Sequence, residues 1–268
     1  MTTQKSLSGK VAWVTGGGRG IGRSIALLLA SRGAQVVVTG RDERKIAEVV
    51  GEIANGGGKA RHLRADVREP GSSVLAVELA QKAFGGLDIV VAGAGVSGRV
   101  PLGRPGEEGE ADLARARAIL ETNLLGVYYT FQAAVPAVRS GGRLLAISSV
   151  LGKFGVPGYA AYCASKAGVL GLVRATAHEV AERKITCNAV VPGWVDTDMA
   201  TDGIAEIAHG KGLTPAQAKA EVVKAFPLGR FIEPEEIAGF VAFLVGPEAS
   251  AITGQALSMC GGATAFGG

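Results

Sequence analysis

Short, nearly continuous runs of branched apolar residues recur along this chain, at 11–15, 35–39, 60–64, 88–92, 143–147, 185–191 and 256–259. Each is long enough for a strand and too short for an ordinary helix. Between them lie longer segments with helical spacing, such as Ile21, Ile25, Leu28 and Leu29, or Ala167, Leu170, Val173 and Ala177. Strands buried on both faces read this way, so the pattern predicts a parallel sheet of about seven strands with helices on both sides. The expectation is an α/β chain forming a single doubly wound domain over residues 1–268, with ligands at the carboxyl ends of its strands.

Two stretches break the rhythm. Residues 96–112 are rich in glycine, proline and charge and read as a surface loop before a long helix. Residues 196–227 follow a strand, carry a predicted helix over 215–225, and are positioned as a lid over the ligand crevice. A net charge of +4 without a basic tract or aromatic platform argues against nucleic acid as a partner. The three cysteines, Cys163, Cys187 and Cys260, lack metal-ligand spacing, so no metal site is expected and a reducing compartment fits. Residues 1–10 contain no apolar signal core, and no apolar run approaches the ~18 residues of a membrane helix. The expected location is the cytoplasm.

The first predicted strand leads into Thr15-Gly16-Gly17-Gly18-Arg19-Gly20-Ile21-Gly22 and then a helix. Glycine lets the chain turn sharply and lets backbone approach phosphates, while the helix N-terminus offers N–H groups to a pyrophosphate. The turn therefore reads as a dinucleotide site of Rossmann-like type, spaced GxxxGxG. The same residues approximate a nucleoside-triphosphate loop, but Arg23 stands where that motif needs lysine. The second strand ends at Gly40-Arg41, where NAD-preferring sites usually place an acid. Arg41 and Arg19 could clamp a 2′-phosphate, so NADP(H) is the expected cofactor, ahead of NAD(H).

Tyr162 and Lys166 lie four residues apart, on one face of a helix, with Ser149 thirteen residues upstream of the tyrosine. A phenol near an ammonium and a hydroxyl can exchange a proton with a carbonyl, and a neighbouring cation lowers the phenol's pKa toward neutrality.

From residue 7 to residue 262 the chain resembles the classical short-chain dehydrogenase/reductase family. The resemblance rests on the glycine turn, Asp66-Val67, Asn123, Ser148-Ser149, Tyr162 with Lys166, Pro192-Gly193 with Thr197, and Ile252-Thr-Gly-Gln255. It implies that Tyr162 is the acid/base, that Ser149 binds the substrate oxygen, and that Asn123 supports a water relay to Lys166. Lys166 would lower the tyrosine's pKa and hold the nicotinamide ribose. Gly16, Arg19, Gly20, Ile21, Gly22, Arg41, Asp66, Val67, Gly95, Pro192, Gly193, Val195 and Thr197 would join Tyr162 and Lys166 around the cofactor. Asp66 would take the adenine amino group, with Val67 beside the ring. One departure is Ala92-Gly93-Ala94-Gly95, where the family usually has Asn-Asn-Ala-Gly; it bears on rigidity and cofactor affinity there, not on proton transfer.

The resemblance also places Leu151, Phe154, Val156, Tyr159, Trp194 and Met199 around the substrate, an apolar pocket with few polar anchors. Arg99 and Arg104 could attract the phosphates of an acyl thioester. The expected activity is reversible, NADP(H)-dependent reduction of a ketone to a secondary alcohol, with a 3-oxoacyl thioester as one substrate class. An NAD-dependent secondary alcohol dehydrogenase is the alternative, and a catalytically silent dinucleotide sensor or protein-binding module is an alternative of another class. The resemblance further implies a homo-oligomer, a tetramer, using apolar faces near 120–131 and 167–177.

Overall fold

In the computed structural model, which describes residues 6–103 and 105–265, strand and helix alternate almost throughout. The order is β1 (Val11–Thr15), α1 (Gly20–Ser31), β2 (Gln35–Gly40), α2 (Glu43–Asn55), β3 (Lys59–Arg64), α3 (Pro70–Phe84), β4 (Leu87–Ala92), α4 (Gly106–Leu120), α5 (Gly126–Ala134) and β5 (Val138–Ile147). It continues α6 (Ala160–Glu179), β6 (Thr186–Pro192), α7 (Asp198–Lys211), α8 (Pro215–Val223), α9 (Pro234–Leu244) and β7 (Ala256–Met259). The strands form one seven-stranded sheet in the order β3-β2-β1-β4-β5-β6-β7, and every pair is parallel. The expected doubly wound α/β architecture is what the chain adopts.

Alternate side chains of the central strands feed two cores. Val36 and Val38 pack with Ile25, Leu29, Ile46, Ile237 and Val241 of α1, α2 and α9. Val37 and Trp13 face the other way, against Val77, Phe131, Val169 and Val173 of α3, α5 and α6. Burial on both faces is why the central strands read as unbroken apolar runs. At the edge, β3 is largely exposed and reads KARHLR instead.

Three boundaries depart from expectation. The supposed loop at 96–112 ends early, because α4 already begins at Gly106, with Glu107 and Glu108 in its first turn. Strand β5 starts at Val138 rather than 143, paired to Leu87 across a register shift. The 196–227 segment holds two helices, α7 as well as the expected one, which ends at Val223. Thr197 starts α7 by accepting from Ala200 N, and Ala200, Ile204 and Ala208 bury one narrow stripe against Ala218 and Phe226.

The sheet order reverses between β1 and β4, so the chain leaves their carboxyl ends in opposite directions and opens a crevice there. Gly16 at φ +69° begins the turn out of β1, and a Cβ on it would sit 2.7 Å from Ala94 Cα in the turn after β4. Thr15 locks the two turns together. Its buried hydroxyl oxygen accepts from Gly93 N at 3.0 Å and Ala94 N at 3.1 Å. The departure at Ala92-Gly93 thus leaves this turn held from β1.

Candidate active site

A cleft of about 1010 Å³ lies over the carboxyl ends of the strands. Ser149 enters it directly after β5, while Tyr162 and Lys166 rise from the first two turns of α6. Two neighbouring hydroxyls divide their tasks. Ser148 is buried and donates to Lys166 O at 2.9 Å, bracing α6 against β5. Ser149 lines the cleft and is hydrogen-bonded to the Tyr162 side chain.

Lys166 is 4% exposed, donates to Ile147 O at 2.9 Å, and lies 5.7 Å from the centroid of the Tyr162 ring. Burial pushes its ammonium down to about 8. Tyr162 keeps some open surface toward the cleft, but enclosure of its phenol pushes the pKa up, and the Ser149 bond opposes this. The expected lowering by Lys166 is not what this geometry gives, because the ammonium bonds to a carbonyl rather than to the phenol. Desolvation dominates both groups.

Asn123 sits behind the cleft wall, fully buried in a π turn at Glu121–Leu125 that joins α4 to α5. Its Oδ1 accepts from Val96 N at 2.8 Å, and its Nδ2 donates to Val96 O at 2.9 Å and to Ser165 Oγ at 3.2 Å. It therefore ties the loop after β4 to α6. A Cβ built on Gly95 would lie 3.4 Å from Asn123 Oδ1 and 3.5 Å from Lys166 Nζ, so both polar heads converge beside Gly95.

Every residue expected around the cofactor lines this cleft. A Cβ on Gly22 would come 2.3 Å from Gly16 O, so only glycine permits the turn to fold so tightly. The N-cap residue of α1, Arg19, makes no side-chain capping bond, which leaves first-turn N–H groups available to an anion, as a dinucleotide pyrophosphate requires. The residues present thus fit the cofactor. Arg41 lines the cleft beside Asp42 and Lys45. The Asp42 carboxylate caps α2, accepting from Lys45 N at 3.1 Å. Arg19 lies 4.0 Å from Asp198 at the start of α7, both side chains exposed. Asp66 is gripped by Arg68, whose Nη2 approaches Oδ2 at 2.7 Å, and this bond holds the carboxyl below its usual range. Sequence reasoning missed Asp42, Lys45 and Arg68; the first two were legible as the start of a helix beside Arg41, whereas nothing marked Arg68.

On the substrate side, Leu151, Phe154, Val156, Tyr159, Trp194 and Met199 all line the cleft as expected. Trp194 stacks on Phe231 with centroids 5.4 Å apart. Residues 196–227 form the facing wall, through Met199, Gly203, Glu206 and Ile207 of α7 and Val222 of α8. The largely apolar wall carries a few polar groups. Glu206 accepts from the Tyr159 hydroxyl at 3.2 Å, and Arg99 lines the same space. Arg104 lies outside the described residues. Among the described residues there is no cluster of three or more His, Cys, Asp or Glu able to hold a metal, and no helix long and apolar enough to cross a membrane.

Comparison with known proteins places this geometry in context. Residues 16–264 match the family model described as enoyl-(acyl carrier protein) reductase. A hydroxynaphthalene reductase-like protein of Metarhizium robertsii is 40% identical over 97% of both chains. A 3-oxoacyl-(acyl-carrier-protein) reductase of Vibrio cholerae is 39% identical over 96% of this chain and 98% of its own. A short-chain dehydrogenase/reductase structure from Serratia marcescens superposes with a TM-score of 0.86 at 35% identity, covering 97% of this chain and 99% of the other.

Proposed function

The chain belongs to the short-chain dehydrogenase/reductase family, and from that premise we propose that it is an NADP(H)-dependent reductase interconverting a ketone and a secondary alcohol, with Tyr162 as acid/base. Membership makes it an oxidoreductase that uses a nicotinamide dinucleotide and acts on a small carbonyl or alcohol. The observation carrying the finer reading is the meeting of Ser149, Tyr162 and Lys166 in one cleft with the glycine turn.

The dinucleotide, when bound, supplies the hydride. Ser149 holds the substrate oxygen. Tyr162, kept protonated at neutral pH by its enclosure, gives its proton to that oxygen as negative charge builds there, and takes it back in the oxidative direction. Lys166, still largely charged at pH 7 with a pKa of about 8, stabilises the phenolate left behind. Asn123 positions Val96 and Ser165 around them. The relatives' names favour two substrate classes for this cleft, a 3-oxoacyl thioester and a ring ketone.

The NADP(H) preference rests on Gly40-Arg41 at the end of β2, with Arg19, Arg41 and Lys45 all lining the cleft. An NAD-dependent alcohol dehydrogenase is favoured by one feature, Asp42: released from its cap on α2, it could take ribose hydroxyls instead. We further read the exposed Leu120, Leu125 and Tyr128 as part of a homotetramer contact, and the three free thiols as fitting the cytoplasm. The testing variant is Tyr162→Phe. Its kcat for ketone reduction should fall by about 10²–10⁴ while NADPH affinity stays within about twofold. Undiminished turnover would remove Tyr162 from the chemistry. A wild-type protein that binds NADPH tightly yet reduces no ketone in a broad panel would mark a silent sensor.

A further inference from the structure

We propose that Tyr159, Glu206 and Arg99 form a polar subsite in the substrate pocket that binds a second, hydroxyl oxygen of the substrate, so that hydroxylated ketones are preferred over their hydrocarbon parents. The inference rests on the carbonyl-reductase reading and adds to it the class of ketone.

The three side chains come from three separate parts of the fold. Arg99 lies in the loop after β4, Tyr159 immediately precedes α6, and Glu206 stands midway along α7. Their meeting is built rather than incidental. Val100 N donates to Gly158 O at 2.6 Å, which fixes the Arg99 loop against the turn before α6. The Arg99 side chain then lies across Gly158, where a Cβ would come 2.6 Å from its Nε. The Tyr159 hydroxyl donates to Glu206 Oε2 at 3.2 Å and brings that carboxylate to the pocket wall. Burial and the nearby Glu206 push the Tyr159 phenol up to about 12, so it remains a donor at any working pH. Glu206 makes no other hydrogen bond or ion pair among the described residues, and its second oxygen is free to accept.

All three residues line the catalytic cleft, and Arg99 and Glu206 also line a side groove of about 410 Å³. They stand where the two spaces join. The charges there select the ligand group. A carboxylate or phosphate would meet Glu206, and an ammonium would meet Arg99. A neutral hydroxyl suits both, donating to Glu206 and accepting from Arg99. Tyr159 immediately precedes α6 and Tyr162 lies in its first turn, and both line the one cleft. A small ring carrying the carbonyl at one end and the hydroxyl at the other is the simplest ligand that could reach both Tyr162 and this subsite within the one cleft.

The probes are 4-hydroxycyclohexanone and cyclohexanone, measured both by binding to the NADPH complex and by kcat/KM. Wild type should favour the hydroxyketone by about tenfold or more. Glu206→Leu should lose roughly ten- to a hundredfold more on the hydroxyketone than on cyclohexanone, the scale of one charge-assisted hydrogen bond. Glu206→Gln, which keeps a partner for Tyr159, should retain part of the preference. Equal losses on both ketones would mean that Glu206 only ties α7 to α6, and would overturn the subsite, as would a wild type without preference. If neither ketone is reduced but the binding preference exists and vanishes in Glu206→Leu, the subsite stands and the reductase reading falls.

Discussion

Replacing Lys166 by methionine should make the cofactor-free protein more stable at neutral pH. The side chain is 4% exposed, and among the described residues its one hydrogen bond goes to Ile147 O. Burial drops its pKa from 10.5 to about 8. At ~1.4 kcal/mol per pH unit, holding the ammonium charged inside the fold withholds about 3 kcal/mol of stability. The folded pKa lies below the unfolded one, so the penalty is complete below about pH 8 and disappears as pH rises toward 10.5. Methionine removes the penalty but orphans the Ile147 carbonyl, at roughly 1 kcal/mol. The net expectation is about 2 kcal/mol of added stability at pH 7, a rise of ~4 °C in Tm for a chain of this size. Near pH 10.5 the order should reverse, leaving the variant roughly 1 kcal/mol less stable. Thermal unfolding without cofactor at pH 7, 9 and 10.5 tests this. A variant less stable than wild type at pH 7, or a Tm difference that ignores pH, would refute the reasoning.

Two further substitutions probe the turns that frame the cleft. Thr15→Val keeps the shape of the side chain but strips the acceptor from Gly93 N and Ala94 N; at ~1–2 kcal/mol per orphaned donor it should cost roughly 2–4 kcal/mol, lower Tm by about 4–8 °C and weaken dinucleotide binding, all measurable in one calorimetric and titration series. Gly22→Ala sets a Cβ 2.3 Å from Gly16 O, so the turn must open, and titration should show dinucleotide affinity falling at least tenfold even where circular dichroism finds the helices intact.

Much of this fold is legible in the sequence because central parallel strands are buried on both faces and read as continuous apolar runs. Elements without that burial are harder to see. Helix α4 buries only Ile119, so GEEGEADLARARAIL shows no apolar stripe and its first turns resemble a loop. Helix α7 hides behind Gly203 and Gly210, with just Ala200, Ile204 and Ala208 buried four residues apart. The site divides along the same line. Ser149, Tyr162 and Lys166 stand at spacings that carry chemistry, and they meet in one cleft. The Tyr159–Glu206 bond spans 47 residues and depends on the unforeseen α7. The direction of the Tyr162 and Lys166 pKa values was also out of reach, since it follows from enclosure rather than from sequence neighbours.

The central claim, a reductase that draws on NADP(H), is tested most directly by fluorescence titration of NADPH against NADH, in wild type and in Arg41→Ala. The account predicts that wild type binds NADPH at least tenfold more tightly and that Arg41→Ala erases most of that margin while leaving NADH affinity within about twofold. Equal affinities in wild type, or an NADH preference that Arg41→Ala leaves untouched, would contradict it and turn the search to alcohols oxidised with NAD⁺.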